Sequence, residues 1–147
     1  MSIRNINNLL YQLTRFISGT ITNNGYAKNK VAYMTIDDFP SVDFVRKIEL
    51  LISHNIPAIL FGKGEAMEDN PGVIQHAIRQ GFVIGNHGYR HLRYSSLSLE
   101  QASEEIMKAD RLIEDAYHET GIARPMKVFR FPYGDKGGVM FGPIQKL

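Results

Sequence analysis

Three short stretches of the chain hold residue types suited to metal and acid–base chemistry. The first is Thr35-Ile-Asp-Asp-Phe-Pro40, with adjacent carboxylates at Asp37 and Asp38. Neighbouring carboxylates repel and are costly unless something uses them. A divalent cation can hold one and leave the other to act as a base. The same residues also suit a turn and a helix cap, where Asp and Pro are both common. The second stretch is His87-Gly-Tyr-Arg-His91. Histidines four apart lie on one side of a helical turn and can reach one ion, and neutral imidazole suits zinc and its neighbours. Asn86 and Gly88 favour a loop there instead, and a pair of surface or core-satisfied histidines would have the same spelling. The third is Phe129-Arg-Phe-Pro-Tyr-Gly134. An arginine at a strand end among aromatics wants a carboxylate partner. On an open surface such a pair would contribute little. The tight Pro132-Tyr133-Gly134 turn can aim a backbone N–H into a site.

These stretches need elements to bring them together. Apolar runs at Val31–Ile36, Pro57–Phe61, Phe82–Gly85 and Val128–Phe131 are short, bounded by turn residues and separated by helical patterns. They read as parallel strands of an α/β fold. Ligands in such folds bind at the carboxyl ends of the strands. Asp37 and Asp38 end the first run, His87 follows the third, and Arg130, Pro132 and Tyr133 end the fourth. Three strands thus deliver titratable residues to one rim.

Four segments read as helices. The first carries Ile6, Leu9, Leu10, Leu13, Phe16 and Ile17 on one face, between a cap at Asn5 and a stop at Gly19; the Asn23-Asn24-Gly25 turn follows. The second runs from about Ser41 to His54, with Phe44, Val45, Ile48, Leu51 and Ile52 facing inward. The third is capped by Asn70, begins at Pro71 and ends at Gly81. The fourth opens on a Ser98/Gln101 capping box and buries Leu99, Ala102, Ile106, Ala109, Ile113 and Ala116. Glu104 and Glu105 are assigned to its solvated face. His54, His76 and His118 are expected at the surface, and Gly62-Lys-Gly64 is expected to be a turn, since it lacks phosphate-loop spacing.

With 147 residues the chain has the length of one domain able to bury its own core. There is no cysteine, so disulfides and thiolate ligands are excluded and a metal must be held by His, Asp or Glu. The net charge of +2 is spread over interleaved acidic and basic residues, with no basic stripe for a nucleic acid. The N-terminal stretch lacks the continuous apolar region of a signal peptide, and no segment is long enough to span a membrane. A cytoplasmic protein is expected if the first residue is the true start.

In this order and spacing, the three stretches resemble the polysaccharide deacetylase family, also called the NodB-homology domain or carbohydrate esterase family four. Its motifs are approximately T-F-D-D-G, H-S/T-x-x-H and R-x-P-Y/x-G; here they are Thr35–Phe39, His87–His91 and Arg130–Gly134. The resemblance implies an irregular (β/α) barrel over residues 30–147; the amphipathic helix and turn read from periodicity in residues 1–29 precede it. It implies a divalent metal, usually zinc and sometimes cobalt or nickel, held by Asp38, His87 and His91. It implies Asp37 as general base, Arg130 as its partner, and the Tyr133 backbone N–H as an oxyanion donor. It also implies an N-acetylated carbohydrate substrate, with Phe39, Pro132 and Tyr133 lining its groove.

Two departures qualify the resemblance. The family glycine after the aspartate pair is Phe39, which is expected to reshape the loop and narrow the groove toward a smaller or different acetylated substrate. The family's later Leu-x-His motif, which supplies a general acid, has no counterpart, because no histidine follows His118. Ile144 and Leu147 look like the opening turn of a further helix. A C-terminally truncated barrel is therefore expected, with an open sheet edge prone to self-association. A catalytically impaired metal- or carbohydrate-binding remnant is the alternative to an active deacetylase.

Overall fold

The structure, a computed structural model, describes residues 34–136. The N-terminal helix and turn and the segment around Ile144 and Leu147 lie outside the described residues. Three parallel strands, β1 (Met34–Phe39), β2 (Ala58–Gly62) and β3 (Val83–Asn86), form one sheet in the order β1-β2-β3. Helix α1 (Phe44–Ser53) links β1 to β2. Helices α2 (Gly64–Asp69) and α3 (Pro71–Arg79) link β2 to β3, and the long α4 (Leu99–Thr120) follows β3. The α/β reading is met, and among the described residues the sheet stays open.

Strand β2 is buried along its whole length, as a central parallel strand flanked on both faces must be. Its side chains alternate with period two. Ala58 and Leu60 join Ile48, Leu51, Ile74, Ile78, Ile84 and Ile113 in the main core beneath the helices. Ile59 and Phe61 face the other way, onto Val83, Met126 and Val128. The predicted fourth strand is reduced to one parallel bridge, Phe129 to Asn86, beyond β3. The rest of that β3 edge is covered differently: the Tyr117 hydroxyl of α4 accepts the Ile84 N–H at 3.1 Å.

Local details depart from the sequence expectations for identifiable reasons. Val45 and Ile52 of α1 are exposed, so its buried stripe narrows to Phe44, Ile48 and Leu51. Asn70 occupies the N-cap position of α3, but its side chain donates instead to the Ala66 carbonyl of α2 at 3.0 Å. The expected Gly62–Gly64 turn opens directly into α2. The capping box of Ser98 and Gln101 is formed as expected. Glu105 is not on the solvated face of α4. It is 3% exposed, beside Ala102 and Ala109 on the inner stripe.

The segment returning from α4 to the sheet is strapped to that helix. Arg124, nearly buried, reaches Asp110 at 2.7 Å, and Lys127 reaches it at 2.8 Å. Burial pushes the Asp110 carboxyl up. The hydrogen bonds and charges of Arg124 and Lys127 outweigh this and hold it below the ordinary carboxylate range. A depressed native pKa stabilises the fold above the unfolded value and loses that effect as pH falls through the native one. Asp110→Asn should therefore lower the urea midpoint at neutral pH. The gap to the parent should close as pH falls below about 4, read from midpoints across a pH series.

Candidate metal centre

The site begins with an irregularity in β1. Ile36 pairs with Leu60, but the next pairing is Phe39 with Gly62, so β1 spends three steps where β2 spends two. Such a bulge leaves one residue unpaired and bends the strand. Asp38 absorbs it with φ at 59°. In a regular strand Asp37 and Phe39 would share a face. The bulge separates them. Phe39 turns to the helix-covered side with Ile36, while Asp37 and Asp38 stay exposed at the strand end.

This corrects the expectation for Phe39. Its ring is 0% exposed and lies 4.0 Å from the Phe44 ring, so it is core and lines no groove. The hint of a smaller substrate that rested on Phe39 goes with it. Pro132, expected at the substrate groove, is also fully buried. A methyl group on Gly88 would lie 3.6 Å from the Pro132 ring and 3.1 Å from the Tyr94 hydroxyl, and Gly88 has φ at 76°. Tight packing and left-handed backbone both call for glycine there. Tyr133 does reach the rim, with its side chain exposed and its ring 4.6 Å from that of His91. The Arg93 guanidinium stacks on it at 4.5 Å.

Residues 87–91 form a loop and no helical turn. Asn86, buried at the end of β3, organises it. The Asn86 N–H donates to the Val128 carbonyl at 2.8 Å, and its carbonyl accepts the Arg130 N–H at 2.9 Å. Its side-chain oxygen accepts the Gly88 N–H at 2.8 Å, and its amide nitrogen donates to the Ile106 carbonyl at 2.8 Å. His87 is 2% exposed, with Nδ1 2.8 Å from the Arg130 carbonyl. A carbonyl only accepts, so Nδ1 carries the proton and Nε2 of the neutral ring keeps its lone pair. His91 lies beyond, its ring centroid 4.9 Å from that of His87 and Nε2 3.3 Å from Asp38 Oδ1. Burial holds His91 below the ordinary imidazole range against the pull of Asp38, with His87 and Lys63 reinforcing the shift. The neutral ring is the form that ligates.

Asp38, His87 and His91 each bring one ligand atom within 4.8 Å of the others. Two imidazole nitrogens and one carboxylate oxygen fit a divalent ion of the zinc type, and three protein ligands leave a position open. Asp37 stands beside the cluster with a different partner. Arg130 Nη1 donates to Asp37 Oδ1 at 2.6 Å and to Thr35 Oγ1 at 3.0 Å. Thr35 and Asp37 share a face of β1, so one guanidinium spans both. That guanidinium also stacks 4.1 Å over the Phe61 ring. Asn86, Thr35 and Lys63 were assigned no role from sequence. Asn86 could have been noticed as an amide closing an otherwise apolar strand.

Fold and cluster together define a parallel α/β protein with a candidate metal centre at its strand ends. The chain belongs to the polysaccharide deacetylase family, whose model matches residues 24–141. A peptidoglycan-N-acetylglucosamine deacetylase of Bacillus cereus is 33% identical over 111 residues, covering 75% of this chain and 38% of that protein. A chitooligosaccharide deacetylase of Sinorhizobium fredii is 29% identical over 103 residues, covering 69% of this chain and 46% of that protein. The solved structure of a family 4 carbohydrate esterase from Streptomyces lividans, in complex with acetate, is similar with a TM-score of 0.70. It is 26% identical and matches 80% of this chain and 58% of that one. The chain thus spans about two fifths to one half of the length of these curated relatives. No helix among the described residues is long and apolar enough to cross a membrane.

The donor set makes a direct prediction. Calorimetric titration with zinc should show one ion bound per chain. Asp38→Ala and His91→Ala should each abolish that binding, whereas Asp37→Asn should retain it.

Proposed function

We propose that this chain carries the metal-binding half of a carbohydrate deacetylase, hydrolysing the C–N bond of N-acetyl groups on a glycan of the peptidoglycan or chitooligosaccharide kind. The observation that carries the reading is the convergence of Asp38, His87 and His91 within 4.8 Å, beside a second carboxylate held by its own arginine. The relatives named above, whose names are those of deacetylases, support the substrate class.

Asp38, His87 and His91 would hold a divalent ion, zinc by preference of the donors and cobalt or nickel by similar chemistry. When bound, that ion would bring the pKa of water down to about 7 and polarise the acetyl carbonyl. Asp37 receives the proton released as water attacks. Arg130 fixes the direction of the Asp37 carboxylate, and Thr35 fixes Arg130. The Tyr133 backbone N–H donates to the oxyanion that develops on the acetyl oxygen. The exposed Tyr133 ring, beside His91 and Arg93, offers contact surface to the sugar.

Acetate release from acetylated chitooligosaccharide and from peptidoglycan fragments tests this. With zinc present, Asp37→Asn should lower kcat about 10²–10⁴-fold with zinc affinity intact, the range expected for loss of a general base. Chelation should abolish release, and zinc should restore it. Turnover indifferent to Asp37→Asn would sink the assignment of the base. Zinc binding with no release from any acetylated glycan would favour the reading of a binding remnant.

A further inference from the structure

We infer that Glu105, on α4, is a positioning residue for the metal centre: its buried carboxylate clamps residue 90 and thereby holds His91 within reach of the ion. The inference rests on the metal-centre reading above and extends it to a side chain outside the three motifs. Glu105 Oε2 accepts the Arg90 backbone N–H at 2.7 Å, and Oε1 accepts the Arg90 Nε–H at 2.7 Å. The Glu105 side chain is 3% exposed, whereas that of Arg90 is half exposed. A carboxylate so deep is tolerated only when paired and hydrogen-bonded, and here one residue supplies both.

The clamp acts one residue before His91, whose φ is 57°. A non-glycine residue in the left-handed region persists only where its surroundings over-determine it. The remaining anchors of the loop secure its first half. Gly88 donates to Asn86 Oδ1, the Gly88 carbonyl accepts from Gly64 N at 2.9 Å, and the Tyr89 carbonyl accepts from Glu65 N at 3.1 Å. Glu105 brings the anchor at residue 90 from a separate helix, next to the ligand itself. Groups that orient a ligand are worth about 10–100-fold in metal affinity.

The test compares the full chain with Glu105→Ala, Glu105→Gln and, as a control on the same helix, Glu104→Ala. Zinc affinity is read by competition with a chromophoric chelator, the visible spectrum is recorded with cobalt bound, and urea midpoints are measured without metal. Glu105→Gln keeps an oxygen for the Arg90 backbone N–H but discards the charge and the acceptor for the Arg90 Nε–H. Glu105→Ala should weaken zinc binding about 10–100-fold and alter the cobalt absorption, while Glu105→Gln and Glu104→Ala stay close to the parent. A folded Glu105→Ala chain that binds zinc like the parent overturns the inference. So does an equal loss in Glu105→Gln, which would remove the role of the hydrogen bond. Should Glu105→Ala fail to fold, Glu105→Asp, one methylene too short to reach the Arg90 backbone N–H from α4, takes its place, and parental zinc affinity in that variant overturns the inference. A parent chain that binds no zinc would instead sink the metal centre itself.

Discussion

The extra residue in β1 is the constraint on which the rest of the site depends. One strand must satisfy two demands at its carboxyl end: an apolar side chain to close the core and two carboxylates presented outward. A regular period of two cannot do both, because Asp37 and Phe39 would then face the same way. The bulge at Asp38 breaks the period once. Phe39 then seals the core against Phe44, and that burial in turn fixes how far the chain can bend. Truncating Phe39 to alanine should accordingly cost about 3–5 kcal/mol, as for other buried phenylalanines, where a groove-lining residue would cost far less.

A second set of constraints joins distant parts of the chain. Arg130 touches Thr35 and Asp37 through its side chain, Asn86 through its N–H and His87 through its carbonyl. A residue with so many partners needs a fixed backbone. The single bridge of Phe129 to Asn86 supplies it, together with the edge-to-face packing of Phe129 and Phe131 around buried Tyr94. The strap from Asp110 to Arg124 and Lys127 restricts the approach of that segment. Loss of any one of these would loosen an arginine that holds both Asp37 and His87.

What could be read from the sequence follows the range of each interaction. Strand and helix periodicity is local, so the α/β layering and the delivery of three motifs to one rim were legible. The pairing of Arg130 with a carboxylate was legible as a need, but its choice of Asp37 over Asp38 is geometric. Phe39 was misplaced because a bulge leaves no mark in the hydrophobic pattern. Pro132 was misplaced because a proline at a turn reads the same whether it packs inward or outward. Glu105 is a different failure. It falls three residues after Ala102 and four before Ala109, on the stripe that periodicity assigns to the core. Its charge led to a solvated assignment, although a charge at a core position is the pattern that should prompt a search for a partner.

The two aspartates are chemically alike and differ only in company. Asp37 is held by Arg130 at 2.6 Å, a charge-assisted hydrogen bond that occupies an oxygen and fixes the carboxylate. Asp38 has Lys63 at 3.8 Å, too far for a hydrogen bond, and His91 Nε2 at 3.3 Å. Burial favours the neutral His91 ring, and His87 turns its own lone pair toward the same space by donating from Nδ1. Lone pairs converging around a small space repel one another unless a cation or a proton lies between them. Burial disfavours a proton on His91, and the three donors together suit a cation. The asymmetry behind the proposed roles, Asp38 as ligand and Asp37 as base, therefore arises from Arg130, which engages Asp37 and leaves the Asp38 carboxylate beside His91.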